Sequence, residues 1–374
     1  MKVTVVHLMD LVAYPPVLSL LENLTNNGHK VNLISYGIDK APDKIKKNNR
    51  IKLYEVPAGS KGGILGKLER ERIRRSYTQS AVKKLMKDSD ILWTTTDISV
   101  RCLGDEVLKY RHIMQLMELE EWYPYVIGID HPQFPLQKYA KAAWKTVVPE
   151  INRGYIQKTW WGLEKTPYVL PNKPYSLEVN DEGMEEVLEK LKKDDRKKIM
   201  YLGIISSDRS LEEFAKATTI LGDDFCLYVV GRIDDSEKRS FSELKEKYKN
   251  VEYLGYFEAP KHLCVLKYAY IGLLPYFPNS RHQFISPLNV QYCAPNKIFE
   301  YSAFGVPMIG TDVLGLRNPF ETYNIGRICE KLDAESIASS VRSIESDYND
   351  MRNNCKTFYD SVDLDVILQK ILED

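Results

Sequence analysis

No stretch of about 18 uncharged apolar residues occurs anywhere in the chain, which excludes a transmembrane helix and leaves peripheral contact as the only membrane association expected. No two cysteines form a C-x-x-C pair. The six, at 102, 226, 264, 293, 329 and 355, are scattered, which argues against a disulfide framework and a zinc site and predicts reduced, mostly buried thiols. Clusters of Asp and His with metal-ligand spacing are missing as well. A G-x-G-x-x-G fingerprint is absent, which lowers the case for a nicotinamide enzyme. Met1 to Met9 is apolar but interrupted by His7, with Lys2 as its one basic residue and no small-residue cleavage site, so it reads as a buried strand rather than a signal peptide. A cytoplasmic protein is expected. At about 150 residues per domain, 374 residues predict two domains, and 44% apolar with 28% charged residues is ordinary for soluble folded chains.

Net charge is absent too, with 52 Lys+Arg against 52 Asp+Glu, yet the balance hides an asymmetry. Up to Lys173 there are 27 basic and 18 acidic residues, and the remainder carries 25 and 34. Between Lys40 and Lys87, 15 basic residues face 4 acidic ones. Such a block suits polyanions or an anionic membrane surface, and equally a solvated helix face. Leu65, Leu68, Ile73, Tyr77 and Val82 are placed to pack, with Lys67, Arg70, Arg74 and Arg75 outward.

Both halves alternate short apolar runs with amphipathic helices, the pattern of parallel sheets with crossover helices. In the first, strands are expected at 3–8, 30–36, 51–56, 91–95, 112–116, 147–149 and 168–170, with helices at 15–27, 65–87 and 100–110. Pro171, Pro174 and the charged stretch after them mark a connection. The second half restarts with strands at 198–203, 225–230, 251–253, 271–274 and 308–310, helices at 210–221, 237–248, 295–304 and 334–346, and one long helix over 349–372. The expected class is α/β: two facing Rossmann-like domains with parallel sheets, residues 1–174 and 175–374, the last helix free to pack back on the first domain. Ligands then belong at the C-terminal ends of the strands.

The richest stretch is Ala294-Pro-Asn-Lys-Ile-Phe-Glu-Tyr-Ser-Ala-Phe-Gly-Val-Pro-Met-Ile-Gly-Thr-Asp312. Pro295 suits the first turn of a helix, whose free amides and dipole attract anions. Lys297 and Glu300, three apart, share one helical face. A cation for phosphate and a carboxylate for sugar hydroxyls match a nucleotide sugar; a surface ion pair on a packing helix has the same spacing. Gly231 follows a buried apolar run and permits close backbone approach to a ligand, or simply a turn. Trp122, Tyr123, Tyr125, Trp160 and Trp161 suit sugar stacking or the core.

The 294–312 stretch resembles the donor-site helix of bacterial glycosyltransferases of family four, the group-one transferases of GT-B fold. Gly28-His-Lys-Val-Asn-Leu, Val169-Leu-Pro-Asn-Lys, Tyr201-Leu-Gly-Ile-Ile-Ser-Ser-Asp-Arg-Ser-Leu, Tyr228-Val-Val-Gly-Arg, Val251-Glu-Tyr-Leu-Gly-Tyr and Ile271-Gly-Leu-Leu-Pro-Tyr are similar to further family segments, in order. The resemblance implies that Glu300 bonds the ribose hydroxyls, that Arg209 and Lys297 meet the diphosphate, and that Gly231, Asn296 and Tyr301 complete the nucleotide site. Two departures stand out. Tyr292 occupies the place of the family's sugar-contacting Glu, and Met9-Asp-Leu-Val-Ala-Tyr14 replaces its Gly-Gly turn. In Gln115-Leu-Met-Glu-Leu-Glu-Glu-Trp-Tyr123, Met117 stands where many relatives have His and Glu118 where they have Glu. Glu118 is therefore the catalytic or sugar-binding candidate, alternatively part of a surface acidic cluster with Glu120 and Glu121. His131, on an expected loop, is the second catalytic candidate.

The function expected from this resemblance is transfer of a sugar from a nucleoside diphosphate, foremost UDP, to a glycan or lipid-linked acceptor. Retention, no metal or other cofactor, no nucleic acid partner and a place in cell-surface polysaccharide synthesis at the inner membrane face complete it. A non-catalytic transferase-like partner subunit is the alternative, and a UDP-sugar epimerase of similar shape a third.

Overall fold

The computed structural model describes the chain apart from residues 59–62, 127–128, 178, 180, 207–210, 278–285 and 374. The side chains of 63–65, 67–68, 123–126 and 129–132 lie outside the description as well. The chain divides into two units, Met1–Ser176 with Asp363–Asp374, and Leu177–Val362. The terminal segment thus belongs to the first unit, although it follows the second in sequence.

The first unit is built on β1 (Lys2–Asp10), β2 (Lys30–Tyr36), β3 (Ile51–Glu55), β4 (Ile91–Thr94), β5 (His112–Gln115), the hairpin β6 (Tyr123–Val126) and β7 (Ile129–Phe134), β8 (Lys145–Val148) and β9 (Tyr168–Val169). Seven of these make one parallel sheet in the order β3-β2-β1-β4-β5-β8-β9. Val3 to Leu8 are all buried, as a central strand covered on both faces requires. Parallel strands need a crossover, and Pro15–Asn26 supplies the first one. Two prolines preset its first turn, and Val17, Leu20, Leu21 and Leu24 form the buried stripe.

The second unit has β10 (Lys197–Leu202), β11 (Phe225–Val230), β12 (Val251–Gly255), β13 (Ile271–Leu274), β14 (Met308–Thr311) and β15 (Gly326–Cys329), in the order β12-β11-β10-β13-β14-β15. Alternate residues of one strand feed two cores. Met200, Leu202, Tyr228 and Val230 enter one, with Tyr301 and Met308, while Ile199, Tyr201, Leu227 and Val229 enter the other, with Phe214 and Ile337. The strand order reverses direction between β10 and β13, the switch point where ligands of such sheets bind.

Three expectations change. The single helix over 349–372 is two, Tyr348–Asp360 and Leu364–Leu372. Asp363 stops the chain between them: its carboxylate caps the second helix by accepting from the amides of Asp365 (2.9 Å) and Val366 (3.1 Å). That helix joins the first unit, where the Asn23 side-chain amide donates to the Leu364 carbonyl at 2.9 Å. His131 is not on a loop but in β7, and its side chain is outside the described residues. Arg74, expected outward on the Gly63–Leu85 helix, is largely covered, paired with Glu71 and set near Tyr36 and Cys102. The outward basic residues are Arg72, Arg75, Lys83 and Lys84, followed by Lys87. Leu65, Lys67 and Leu68 lie outside the described side chains.

The first unit should be sensitive to acid. His7 and His112 are buried on β1 and β5, bonded to Thr95 and Thr94 at 2.8 Å, and burial pulls both imidazoles down to about 3. Below an unfolded value of about 6.5 the unfolded chain takes up protons that the folded one refuses, so stability falls with pH by about 1.4 kcal/mol per unit for each histidine. Urea unfolding at several pH values between these limits should show a shallower slope in His112→Asn than in the parent chain. An unchanged slope would refute the assignment.

Candidate functional site

The C-terminal ends of the second sheet bring together several glycine turns, one helix N-terminus and a buried carboxylate. β10 is followed by Gly203 and β11 by Gly231, whose φ values of +147° and +149° favour glycine. The Gly203 amide donates to Val230 and the Gly231 amide to Gly255, both at 2.9 Å. A Cβ on Gly231 would lie 1.7 Å from the Gly203 carbonyl oxygen. The close approach expected at Gly231 is therefore to this chain's own backbone, and its contribution to a site is to shape the Gly203 turn. A Cβ on Gly203 would come within 2.9 Å of Lys297 Cε and 3.1 Å of Nζ, so the lysine side chain lies across that turn.

Lys297 comes from the helix Asn296–Ala303, which has Pro295 as its N-cap and no side-chain cap; the Ile298 amide turns back to the Pro295 carbonyl at 3.4 Å, and the positive end of the helix dipole at this terminus favours an anion. Asn296 and Lys297 are half-buried at its start, and Glu300, one turn on, is 6% exposed. Burial alone would push the Glu300 carboxyl up. The His262 ring and the Lys297 ammonium outweigh burial and hold it below the ordinary carboxylate range. His262 Nε2 stands 3.6 Å from Glu300 Oε1, too far for a direct hydrogen bond, and its Nδ1 is buried with no hydrogen-bond partner among the described residues. Nothing in the sequence around Pro260-Lys-His-Leu singles this histidine out; only the fold sets the 261–268 turn beside Glu300.

Tyr301 takes a different part from the one the resemblance implies. It is fully buried; its hydroxyl donates to the Met200 carbonyl at 2.9 Å and accepts from the Leu202 amide at 3.2 Å. Its ring fills the space where a Cβ on Gly272 would lie 2.6 Å away. Tyr301 thus ties the helix to β10 and β13 and holds Lys297 and Glu300 in place. Arg209 lies outside the described residues. Arg232, next to Gly231, is exposed and pairs with Asp234 at 3.9 Å, a further cation at this sheet end. Tyr292 is half-buried at the end of the short helix Pro287–Gln291.

In the first unit, the loop after β5 carries Glu118. Met117 is buried, and the buried Arg153 guanidinium donates to its carbonyl at 2.7 Å. Trp161 Nε1 donates to the Glu121 carbonyl at 2.9 Å, which makes Trp161 core rather than a sugar platform. Trp160 is half-buried against the same core, while Trp122 is exposed. Glu118 points outward from this anchored loop. Glu120 does not belong to a surface cluster: it is half-buried, and burial followed by the charges of Asp97 and Glu118 pushes its carboxyl upward, favouring the neutral form. Asp97 is likewise raised by burial, against the opposing charge of Arg101.

With this geometry in hand, residues 184–358 match the family model of the glycosyl transferases group 1. The chain carries a group 1 glycosyltransferase domain. That match spans nearly all of the second unit and includes Gly203, Gly231, His262 and the Pro295–Ala303 turn and helix. No curated protein matches the sequence. Among solved structures, HepE from Anabaena in complex with UDP and glucose is 12% identical, with a TM-score of 0.66 over 99% of this chain and 98% of that one. Sucrose-phosphate synthase from Thermosynechococcus elongatus is 14% identical, with a TM-score of 0.68 over 100% and 95%. A putative UDP-N-acetylglucosamine 2-epimerase from Listeria monocytogenes is 12% identical, at 0.64 over 99% and 94%. These likenesses show the GT-B fold. Because an epimerase shares that fold, it is the family match over residues 184–358 that points to a transferase.

Proposed function

We propose that this glycosyltransferase takes its sugar from a UDP-sugar bound at the C-terminal ends of β10–β14 and passes it to a glycan or lipid-linked acceptor. The observation that carries the reading is the Asn296–Ala303 helix: a lysine laid over the Gly203 turn at a helix N-terminus with no side-chain cap, and one turn later a buried carboxylate held ionised. Lys297, the helix amides and Arg209 hold the diphosphate. Glu300 accepts from the ribose hydroxyls. Asn296 is close enough in sequence to contribute at the same turn. Leaving-group stabilisation then supplies most of the rate. The bond from the anomeric carbon to the diphosphate oxygen breaks, and the acceptor hydroxyl attacks the same face of an oxocarbenium-like sugar. Its proton passes to the departing phosphate oxygen, and configuration is retained. Glu118 orients the acceptor or the sugar, with His131 as the second candidate. The reaction asks for no metal, because cations of the protein and the helix dipole take the leaving charge. HepE was crystallised with UDP-glucose, which supports the choice of base.

A thermal-shift series tests the donor. UDP at about 100 times its dissociation constant should stabilise the second unit by about 2.7 kcal/mol, with smaller shifts for GDP and TDP at the same concentration. Equal shifts for all three bases would remove the assignment to UDP.

The acceptor side of the proposal includes docking at the cytoplasmic face of an anionic membrane, in cell-surface polysaccharide synthesis. No helix of the described residues is long and apolar enough to cross a membrane. Each basic side chain near such a surface contributes about 1 kcal/mol, fading within a Debye length of about 8–10 Å. Arg72, Arg75, Lys84 and Lys87 are exposed on and just after one helix, and together they suffice for reversible docking. Vesicles rich in anionic lipid should co-sediment the protein at low salt, less at high salt, and least with Arg72/Arg75/Lys84/Lys87→Glu. No association at low salt would take the membrane out of the account.

A further inference from the structure

At the other end of the second sheet from the donor site, where β10 begins, a cavity of about 280 Å³ lies between the 195–198 segment, the Leu266–Tyr270 turn and Arg352. It is a separate place. Lys198, on β10, and Gly203, the residue after its end, are five residues apart, roughly 17 Å at the rise of an extended chain. Five basic side chains line it, Arg196, Lys197, Lys198, Lys267 and Arg352, against one acidic one, Asp195.

Two of the five are already neutralised. Asp194 takes Arg196 in a two-pronged pair at 3.0 and 2.7 Å, and Glu345 takes Lys197. The other three are not. Lys198 is 7% exposed, and its ammonium donates to the backbone carbonyls of Arg196, at 2.9 Å, and Asp194. Those carbonyls use two N–H groups, and the carboxylates that act on the ammonium are Asp194, already shared with Arg196, and Asp195. Lys267 and Arg352 are exposed and make no ion pair among the described residues. Gly305 brings Arg352 to the mouth. With φ +64° it turns tightly enough that a Cβ would lie 3.3 Å from the Arg352 carbonyl oxygen and 3.1 Å from Lys356 Cε. Tyr348, stacked on Tyr270 at 4.2 Å, forms the wall beside it, with the Arg352 guanidinium 6.0 Å from its ring centre.

A recessed group of five cations set against the carboxylates of Asp194, Asp195 and Glu345 keeps a net positive charge, which a bound anion offsets. A guanidinium fork beside two ammonium groups suits the several oxygens of a phosphate. We propose that this cavity is a second anion site that takes a phosphate group, held by Lys198, Lys267 and Arg352 and independent of the donor site. The chemistry is common to free phosphate compounds and phospholipid head groups.

Line broadening of inorganic phosphate in ³¹P spectra of the full chain tests it, using a Lys297→Ala background in which the donor site is weakened. Saturable broadening should persist in Lys297→Ala and weaken about tenfold or more on adding Lys267→Ala and Arg352→Ala, which remove two charge-assisted contacts. Both residues are exposed, and circular dichroism checks that the fold is kept. Broadening that is absent, or that these two changes leave untouched, overturns the proposal. So does broadening lost with Lys297→Ala alone, which would assign it to the donor site. Phosphatidic acid vesicles form the second arm: sedimentation that depends on Lys267 and Arg352 supports a lipid head group as the source, and binding of free phosphate only supports a soluble one.

Discussion

Turnover in Glu118→Gln should fall about 100-fold or more while affinity for UDP stays within about twofold. The carboxylate is exposed on a loop whose backbone is held from behind by Arg153 and Trp161, so removing its charge leaves the packing alone. It belongs to the unit to which the acceptor is assigned, and the residues assigned to the nucleotide belong to the other. A positioned acid, base or hydrogen-bonding carboxylate acts on the transition state, and its loss appears in kcat rather than in donor binding. A fall of less than about threefold would show that Glu118 is solvent-facing decoration, and the role would pass to His131 or to an oxygen of the donor.

The second large effect is on nucleotide affinity. Lys297→Ala and Glu300→Gln should each weaken UDP by about 1.5–3 kcal/mol, roughly 10- to 150-fold, because each removes a charge-assisted hydrogen bond. The two differ with pH. The Glu300 carboxyl is held below its ordinary range, so its ionised form persists in the folded protein at pH values where the unfolded chain is already protonated. Its stabilising contribution is present above the unfolded value of about 4.3 and is lost as pH falls through the lower folded value. UDP affinity should therefore hold down to mildly acidic pH in the parent chain. Calorimetric affinities unchanged in both variants would place the nucleotide elsewhere.

How far the sequence carried can be read from particular residues. β1, β2, β10 and β11 announce themselves because strands covered on both faces are continuous apolar runs. The β6–β7 hairpin does not, since Pro124 and Pro132 interrupt short segments with no clean alternation. The 349–372 periodicity spans a real break because Leu364, Leu368 and Ile371 continue an apolar stripe, although they serve the other unit. At the site, Lys297 and Glu300 were legible from their three-residue spacing. Tyr301 was not, because the residue that decides its place is Gly272 on β13, whose missing side chain makes room for the ring. His262 is a matter of tertiary proximity alone. Arg74 sits at a helix position that sequence reads as outward, and its side chain is instead largely covered, paired with Glu71 near Tyr36 and Cys102.

Backbone hydrogen exchange with and without saturating UDP tests the central claim most directly. The account predicts slowed exchange at Gly203–Ser206, at Gly231–Ile233 and along Asn296–Ala303, with β1, β4 and β5 of the first unit unchanged. Protection confined to the first unit, or none at Asn296–Ala303, would contradict it.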